Sequence, residues 1–340
     1  MTRKKSAMIG SDSNTLVDSF QRKVSYLRLS VTDRCNLRCR YCAPSMPSPK
    51  PMDALLSMEE MHRLVRVGVG LGINKVRLTG GEPLCRPGID SFIEKLYALP
   101  QIRDVSITTN ATMLSDHVKD LKRAGLRRIN ISLDTLDRDK FRQLTGADQF
   151  HNVWGGIMAA AEAGFDPVKI NTVVMKGFND DEVERLAELA LRYPFHIRFI
   201  EYMPIGTDPT AAQRYFVSVT EIKERLDRVG KLQPIDKGPN DGPAQRYRFE
   251  QGRGEVGLIG SMSAHFCKTC NRLRLTSDGF LRACLLADDQ LNVMGPMRAG
   301  ATDEELKALF IQTINNKKDR HHMNFSGGRR LQTKMVSIGG

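Results

Sequence analysis

The sequence predicts an α/β chain built from parallel βα units, and three observations predict it. Six short apolar or alternating segments (24–31, 75–79, 105–109, 129–133, 168–174 and 196–200) are separated by segments of helical periodicity. Glycines follow four of the helical segments (Gly72, Gly125, Gly146 and Gly164), where a residue after a helix end takes positive φ. Polar residues gather at the C-terminal ends of the strands, where parallel α/β folds place their chemistry. Units of this kind in series, joined by right-handed crossovers, give a parallel sheet. A doubly wound sheet and an incomplete (β/α) barrel both satisfy this pattern.

The elements follow in order. The strand over 24–31 leads into a helix beginning after Ser57, where Ser57 and Glu60 form a capping-box pattern. Met61, Leu64, Val65 and Leu71 then recur at helical spacing. Further helices are predicted over 88–99, 115–124, 137–144, 153–163 and 180–191. Paired strand positions two apart (Arg77 and Thr79, Thr108 and Asn110, Ser132 and Asp134, Lys169 and Asn171) share one face, and Arg198 joins them on the last strand. After Pro204 the pattern changes to a helix near 220–229, a Pro/Gly-rich loop over 234–243 and short strand-like pieces. The chain is accordingly divided into a flexible N-terminal arm over 1–23, an α/β part over 24–220 and a C-terminal domain over 221–340.

Composition narrows the function classes. The 340 residues carry a formal charge of +12, yet the basic residues are scattered and aromatics make up only 6%, which argues against a nucleic-acid surface. Scattered charge suits a solvated surface, with several arginines at strand ends fit for a phosphate-bearing ligand. No apolar run is long enough for a membrane span, and residues 1–23 lack the apolar stretch of a secretory signal. Seven cysteines fit two sets of three plus Cys85 better than a disulfide framework, so a reducing compartment, the cytoplasm, is expected.

The cysteines carry the strongest signal. Cys35, Cys39 and Cys42 are spaced C-x3-C-x2-C. Three thiolates can hold a [4Fe–4S] cube and leave one iron open to a small molecule, whereas structural zinc takes four ligands. Cys267, Cys270 and Cys284 form a second set, C-x2-C-x13-C, for which zinc with His265 as fourth ligand competes with a second cluster. Gly80-Gly81-Glu82-Pro83 closes the second strand; its glycines would let a ligand approach the backbone, and Glu82 could accept from a ligand ammonium group.

The first triad, with Tyr41 before its last cysteine and followed by the GGEP turn, resembles the radical S-adenosylmethionine (SAM) enzymes. LRLSVTDRCNLRCRYC, VRLTGGEPL, ITTN, INISLD, RFIEYM, CNRLRLTSDG and a terminal Gly339-Gly340 resemble, more narrowly, the GTP 3′,8-cyclase family of molybdenum cofactor biosynthesis. Ala43 and Ala111 depart from the family, which usually has Met and Gly there. The resemblance implies an α/β fold in the form of an incomplete (β/α)6 TIM-type barrel of the radical SAM kind, with a C-terminal domain carrying a second iron–sulfur cluster. It implies two [4Fe–4S] clusters, on Cys35, Cys39 and Cys42 and on Cys267, Cys270 and Cys284, and S-adenosyl-L-methionine in contact with Tyr41, Gly81, Ser132 and Met203.

By the same resemblance GTP would be bound by Arg28, Lys75, Arg77, Thr108, Lys169, Arg272, Leu273 and Arg274, with Arg77, Arg272 and Arg274 acting in catalysis. Reductive cleavage of SAM would give a 5′-deoxyadenosyl radical that removes H3′ of GTP, after which C3′ attacks C8 of guanine. The Gly339-Gly340 tail would enter the active site. A homodimer and a separate electron donor are implied; nucleic acid and membrane are not expected partners. The alternatives are a radical SAM enzyme that modifies a peptide or protein, and a zinc-containing nucleic-acid module.

Overall fold

A computed structural model describes residues 15–42, 49–236, 238, 241–325, 330–333 and 335–339; Ala43 and Gly340 lie outside the described residues. Strands β1 (Tyr26–Ser30), β2 (Lys75–Thr79), β3 (Asp104–Thr109), β4 (Ile129–Ser132), β5 (Val168–Val174) and β6 (His196–Glu201) lie side by side in chain order, all parallel. Between them run α1 (Met58–Val69), α2 (Ile89–Tyr97), α3 (Leu114–Arg123), α4 (Arg138–Thr145), α5 (Phe150–Glu162) and α6 (Val183–Arg192). A doubly wound sheet reverses its strand order at a switch point. This one does not, so right-handed crossovers keep the helices on one face and leave the other to enclose a cavity.

The remainder comprises α7 (Pro209–Gln213), α8 (Val219–Val229), β7 (Leu232–Ile235), β8 (Gln245–Phe249), β9 (Glu255–Ile259), β10 (Arg272–Leu275), β11 (Phe280–Arg282), β12 (Leu291–Asn292), α9 (Met294–Arg298), α10 (Asp303–Asn315) and α11 (Met335–Ile338). These strands extend the same sheet at both edges. β9 runs parallel to β6 and continues into antiparallel β8 and β7; β10 runs parallel to β1 and continues into antiparallel β11 and β12. The sheet stays open, and the C-terminal residues flank the six-stranded unit on both sides.

Alternation along each strand divides the two faces. Leu27, Leu29, Val76, Leu78, Val105, Ile107, Ile129, Ile131, Ile170, Ile197 and Phe199 are buried in one apolar core with Met61, Leu64 and Val65 of α1. The intervening positions carry Arg28, Arg77, Thr108, Lys169, Asn171 and Arg198, which line the cavity.

Local signals held where they were physical. The Ser57/Glu60 capping box forms on α1, and an equivalent box of Thr302 and Glu305 starts α10, an element the sequence reading did not single out. The loop expected over 234–243 begins as strand instead, because β7 is an edge strand where Pro234 needs no ladder N–H. The described part of the expected N-terminal arm is docked rather than free. Leu16 is buried and exchanges backbone bonds with Leu71 and Val24, while Asp18 and Arg22 form a buried ion pair.

Candidate active site

A cavity of about 470 Å³ is lined by all six triad cysteines. Cys35, Cys39 and Cys42 follow the C-terminal end of β1, whereas Cys270 lies two residues before the start of β10, which is parallel to β1. The two triads therefore sit toward opposite ends of the strands, about 15 Å of extended chain apart. All seven cysteines are free thiols.

Side chains around the first triad are arranged to present sulfur. The Leu37 N–H and Asn110 Nδ2 lie 3.5 and 3.8 Å from Cys35 Sγ as donors. Burial, with Cys35 and Asp134 nearby, pushes the Cys42 thiol up to about 12, so a metal loaded here must displace protons. Tyr41 donates to Asp134 Oδ2 at 2.8 Å, and Asp134 Oδ1 accepts from the Val173 N–H, which fixes Tyr41 at the cavity wall. Burial raises Asp134 to about 6.

The GGEP turn also holds the triad loop against the sheet. A Cβ on Gly80 would lie 2.4 Å from Thr32 O, and one on Gly81 2.1 Å from Arg34 O. The glycines thus admit the backbone of the triad loop. Glu82 accepts at its carboxylate oxygens from the Leu84 N–H (3.0 Å), Thr109 Oγ1 (2.7 Å) and the Asn110 N–H (2.6 Å), and burial raises it to about 7. It pins the turn to the end of β3.

Cations form two registered rows across the inner face. Arg274, Arg28 and Arg77 stand at one level of β10, β1 and β2; Arg272, Tyr26 and Lys75 stand at the next. Lys169 and Arg198 continue the wall on β5 and β6. Eight Lys or Arg side chains line the cavity against four Asp or Glu, among which Asp104 is already paired with Arg128 and Lys75. Burial and mutual repulsion lower Arg77 to about 9, Arg198 to about 10 and Lys169 to about 6. Burial, with Arg28 and Arg272, also lowers Arg274. The Arg28 Nε, Tyr26 hydroxyl and Thr108 Oγ1 are buried without a hydrogen-bond partner. Such a cavity fits a polyanion rich in acceptors.

Nearly every expected site residue borders this cavity, including Tyr41, Gly81, Ser132, Met203, Thr108 and the six cysteines. Leu273 does not: strand alternation turns its side chain into the apolar core, leaving only its backbone toward the site. Arg128, just before β4, was missed because no spacing marks it, whereas Tyr26, two residues before Arg28 on β1, shares its face and could have been found by strand alternation. Arg198 was noted only as a strand-end residue, and it joins the cationic wall with Arg128. Gly339 reaches the site too. Its carbonyl accepts from Arg274 NH1 at 2.5 Å, and its φ of +69° against Thr79 and Ser30 leaves no room for a side chain.

At the second triad, burial alone would raise the Cys270 thiol, but Arg272 and Lys317 beside it bring it down to about 6. His265, Cys267 and His321 also place ligand atoms within 4.8 Å of one another, and Ser261 O contacts one nitrogen of each ring.

Residues 29–190 match the Radical SAM superfamily and residues 195–323 match Molybdenum Cofactor Synthesis C. The chain is 48% identical over 324 residues to the GTP 3′,8-cyclase of Moorella thermoacetica, covering 95% of this chain and 99% of that protein. It is 46% identical over 303 residues to the GTP 3′,8-cyclase of Thermodesulfovibrio yellowstonii, covering 88% and 94%. In fold it is similar to Streptococcus suis SuiB bound to S-adenosylmethionine, with a TM-score of 0.57 at 16% identity over 84% of this chain and 68% of that one.

Proposed function

The chain belongs to the GTP 3′,8-cyclase family of the radical SAM superfamily, and we propose that it converts GTP to (8S)-3′,8-cyclo-7,8-dihydroguanosine 5′-triphosphate, the first step of molybdenum cofactor (molybdopterin) biosynthesis. The observation that carries this reading is the joining of two cysteine triads by one cationic cavity.

Cys35, Cys39 and Cys42 would hold the first [4Fe–4S] cluster, with Tyr41, Gly81, Ser132 and Met203 beside SAM. When bound, that pair supplies a 5′-deoxyadenosyl radical. The chain's own residues supply position and exclude water. Arg28, Lys75, Arg77 and Lys169 would take the triphosphate, with Arg198 beside them, while Thr108 offers an unpartnered hydroxyl. Arg272 would sit beside the second cluster, since its guanidinium already neighbours Cys270. Arg274 is oriented by the Gly339 carbonyl and would hold the substrate so that C3′ and C8 meet.

Cys267, Cys270 and Cys284 would hold the second [4Fe–4S] cluster. A second reading, zinc on His265, Cys267 and His321, draws on the proximity of their ligand atoms; it leaves Cys270 and Cys284 unexplained. No helix among the described residues is long and apolar enough to cross a membrane. Free thiols and clusters suit the cytoplasm, where a one-electron donor and a second copy of the chain complete the proposed system.

Anaerobic incubation with GTP, SAM and reductant, followed by mass analysis, tests the activity. A product isomeric with GTP together with 5′-deoxyadenosine is expected; 5′-deoxyadenosine without a cyclised nucleotide would reject the substrate assignment. Iron and zinc analysis of the same sample decides between the two readings of the second triad.

A further inference from the structure

Two buried cations outside the proposed substrate contacts converge on the second triad. Arg22, 8% exposed, comes from the docked N-terminal segment. Its Nε donates to Asp18 Oδ2 at 2.5 Å, which orients the guanidinium. Its NH1 donates to the carbonyls of Cys267 (2.7 Å) and Asp319 (2.9 Å), and its NH2 to that of Lys318 (2.6 Å). Lys317, 5% exposed, lies just past α10. Its Nζ donates to the carbonyls of Arg272 and Ala283, both at 2.8 Å, and lies 3.6 Å from Cys270 Sγ.

Every ligand of the triad is therefore tied to one of the two cations. Cys267 is held through its own carbonyl, Cys270 through its sulfur and the carbonyl two residues on, and Cys284 through the carbonyl of the residue before it. An ammonium has three protons to give, and here three acceptors take them. Lysine is almost never fully buried unless its charge is answered. Among these acceptors only the thiolate carries charge, so the burial of Lys317 makes physical sense when sulfur is anionic. Asp18 answers Arg22 in the same way.

We propose that Arg22 and Lys317 form a clamp that positions the second three-thiolate site. The clamp brings the three ligand segments into register before metal arrives and offsets the negative charge that three thiolates concentrate. Through its N–H···S contact, Lys317 also raises the reduction potential of the cluster held there, as hydrogen bonds to cluster sulfur do. The inference rests on the reading that Cys267, Cys270 and Cys284 hold a [4Fe–4S] cluster. Both residues act through others and are positioning residues.

The test is anaerobic reconstitution of the full chain carrying Arg22→Met, Lys317→Met or Lys317→Arg. Iron per chain and SAM cleavage are measured in each. In a background with Cys35, Cys39 and Cys42 changed to Ala, an EPR-monitored redox titration isolates the second cluster. Wild type should hold about eight irons. Arg22→Met should fall toward about four with SAM cleavage kept at the level of Cys267→Ala, which also shows that the chain has folded. Lys317→Met should shift the second cluster to a more negative potential, and Lys317→Arg should restore it. Only about four irons in wild type would reject the second cluster itself, a failure separate from that of the clamp. Eight irons in all variants with unmoved potentials would overturn the clamp, as would abolition of SAM cleavage together with the loss of iron.

Discussion

At the scale of single residues, the cavity stores unanswered positive charge, and Lys169 reports it. Burial and the neighbouring Arg198, Arg128 and Arg77 bring its ammonium down to about 6, so at neutral pH the free chain holds it mostly unprotonated. A bound triphosphate favours the charged form, and GTP binding is therefore coupled to proton uptake above pH 6. Calorimetry near pH 7.5, in buffers of different ionisation enthalpy, should show uptake approaching one proton, with affinity falling as pH rises. Lys169→Arg, charged throughout, should lose most of that uptake; unchanged uptake would place the titration elsewhere. Ala111, where the family usually has Gly, stands at φ +61° and is fully buried, with Gly156 packed close against it. The left-handed conformation costs alanine about 1–2 kcal/mol, against about 0.8 kcal/mol for a buried methyl. Ala111→Gly should then change stability by less than about 1 kcal/mol, whereas Ala111→Val, overfilling a β-branched side chain at positive φ, should cost more than about 2 kcal/mol. Thermal denaturation of the two variants checks both.

At the scale of elements, α11 delivers Gly339 to the site. Met335 and Ile338 pack in a small apolar cluster with Ile205, Leu286 and Leu331, which gives the tail an anchor that frayed termini lack. A Cβ on Gly339 would lie 2.6 Å from Thr79 Cγ2. Gly339→Ala should displace the carbonyl that orients Arg274, lowering GTP cyclisation by about a hundredfold if the reacting atoms move by about 1 Å. Iron content and SAM cleavage should stay at wild-type levels; normal cyclisation would show that Arg274 does not need the tail. The helices and parallel strands were legible because capping, glycine stops and periodicity are local. The second capping box, at Thr302 and Glu305, was equally local, and its sequence pattern could have found it. The role of Glu82 was not legible, since its partners Thr109 and Asn110 lie at and just past the end of the next strand.

For the whole molecule, the open sheet separates the two cysteine triads along one cavity. The loops after β1 and β2 carry the first triad and the GGEP turn, and the opposite strand ends carry Lys75, Lys169, Arg272 and the second triad. Cys39→Ala should abolish SAM cleavage and leave about four irons. Cys267→Ala should also leave about four irons, keep part of the SAM cleavage and lose cyclisation. Iron assay and product analysis of the two variants check this, and equal loss of SAM cleavage in both would show the triads to be interdependent.

The sequence alone determined the two sets of candidate metal ligands, the parallel α/β class and most of the cavity-facing residues, because ligand spacing and strand alternation are properties of neighbouring positions. It also determined that Arg272 and Arg274 share a face, since they differ by two on one strand. Only the tertiary structure decided that β10 pairs with β1, which sets Arg274 level with Arg28 and Arg77 and brings both triads to one cavity. It likewise decided that Leu273 faces the core, that Arg128 and Arg198 complete the cationic wall, and that Arg22 reaches Cys267. Those outcomes depend on register between segments far apart in the chain, and register is set by burying the apolar face of every strand at once.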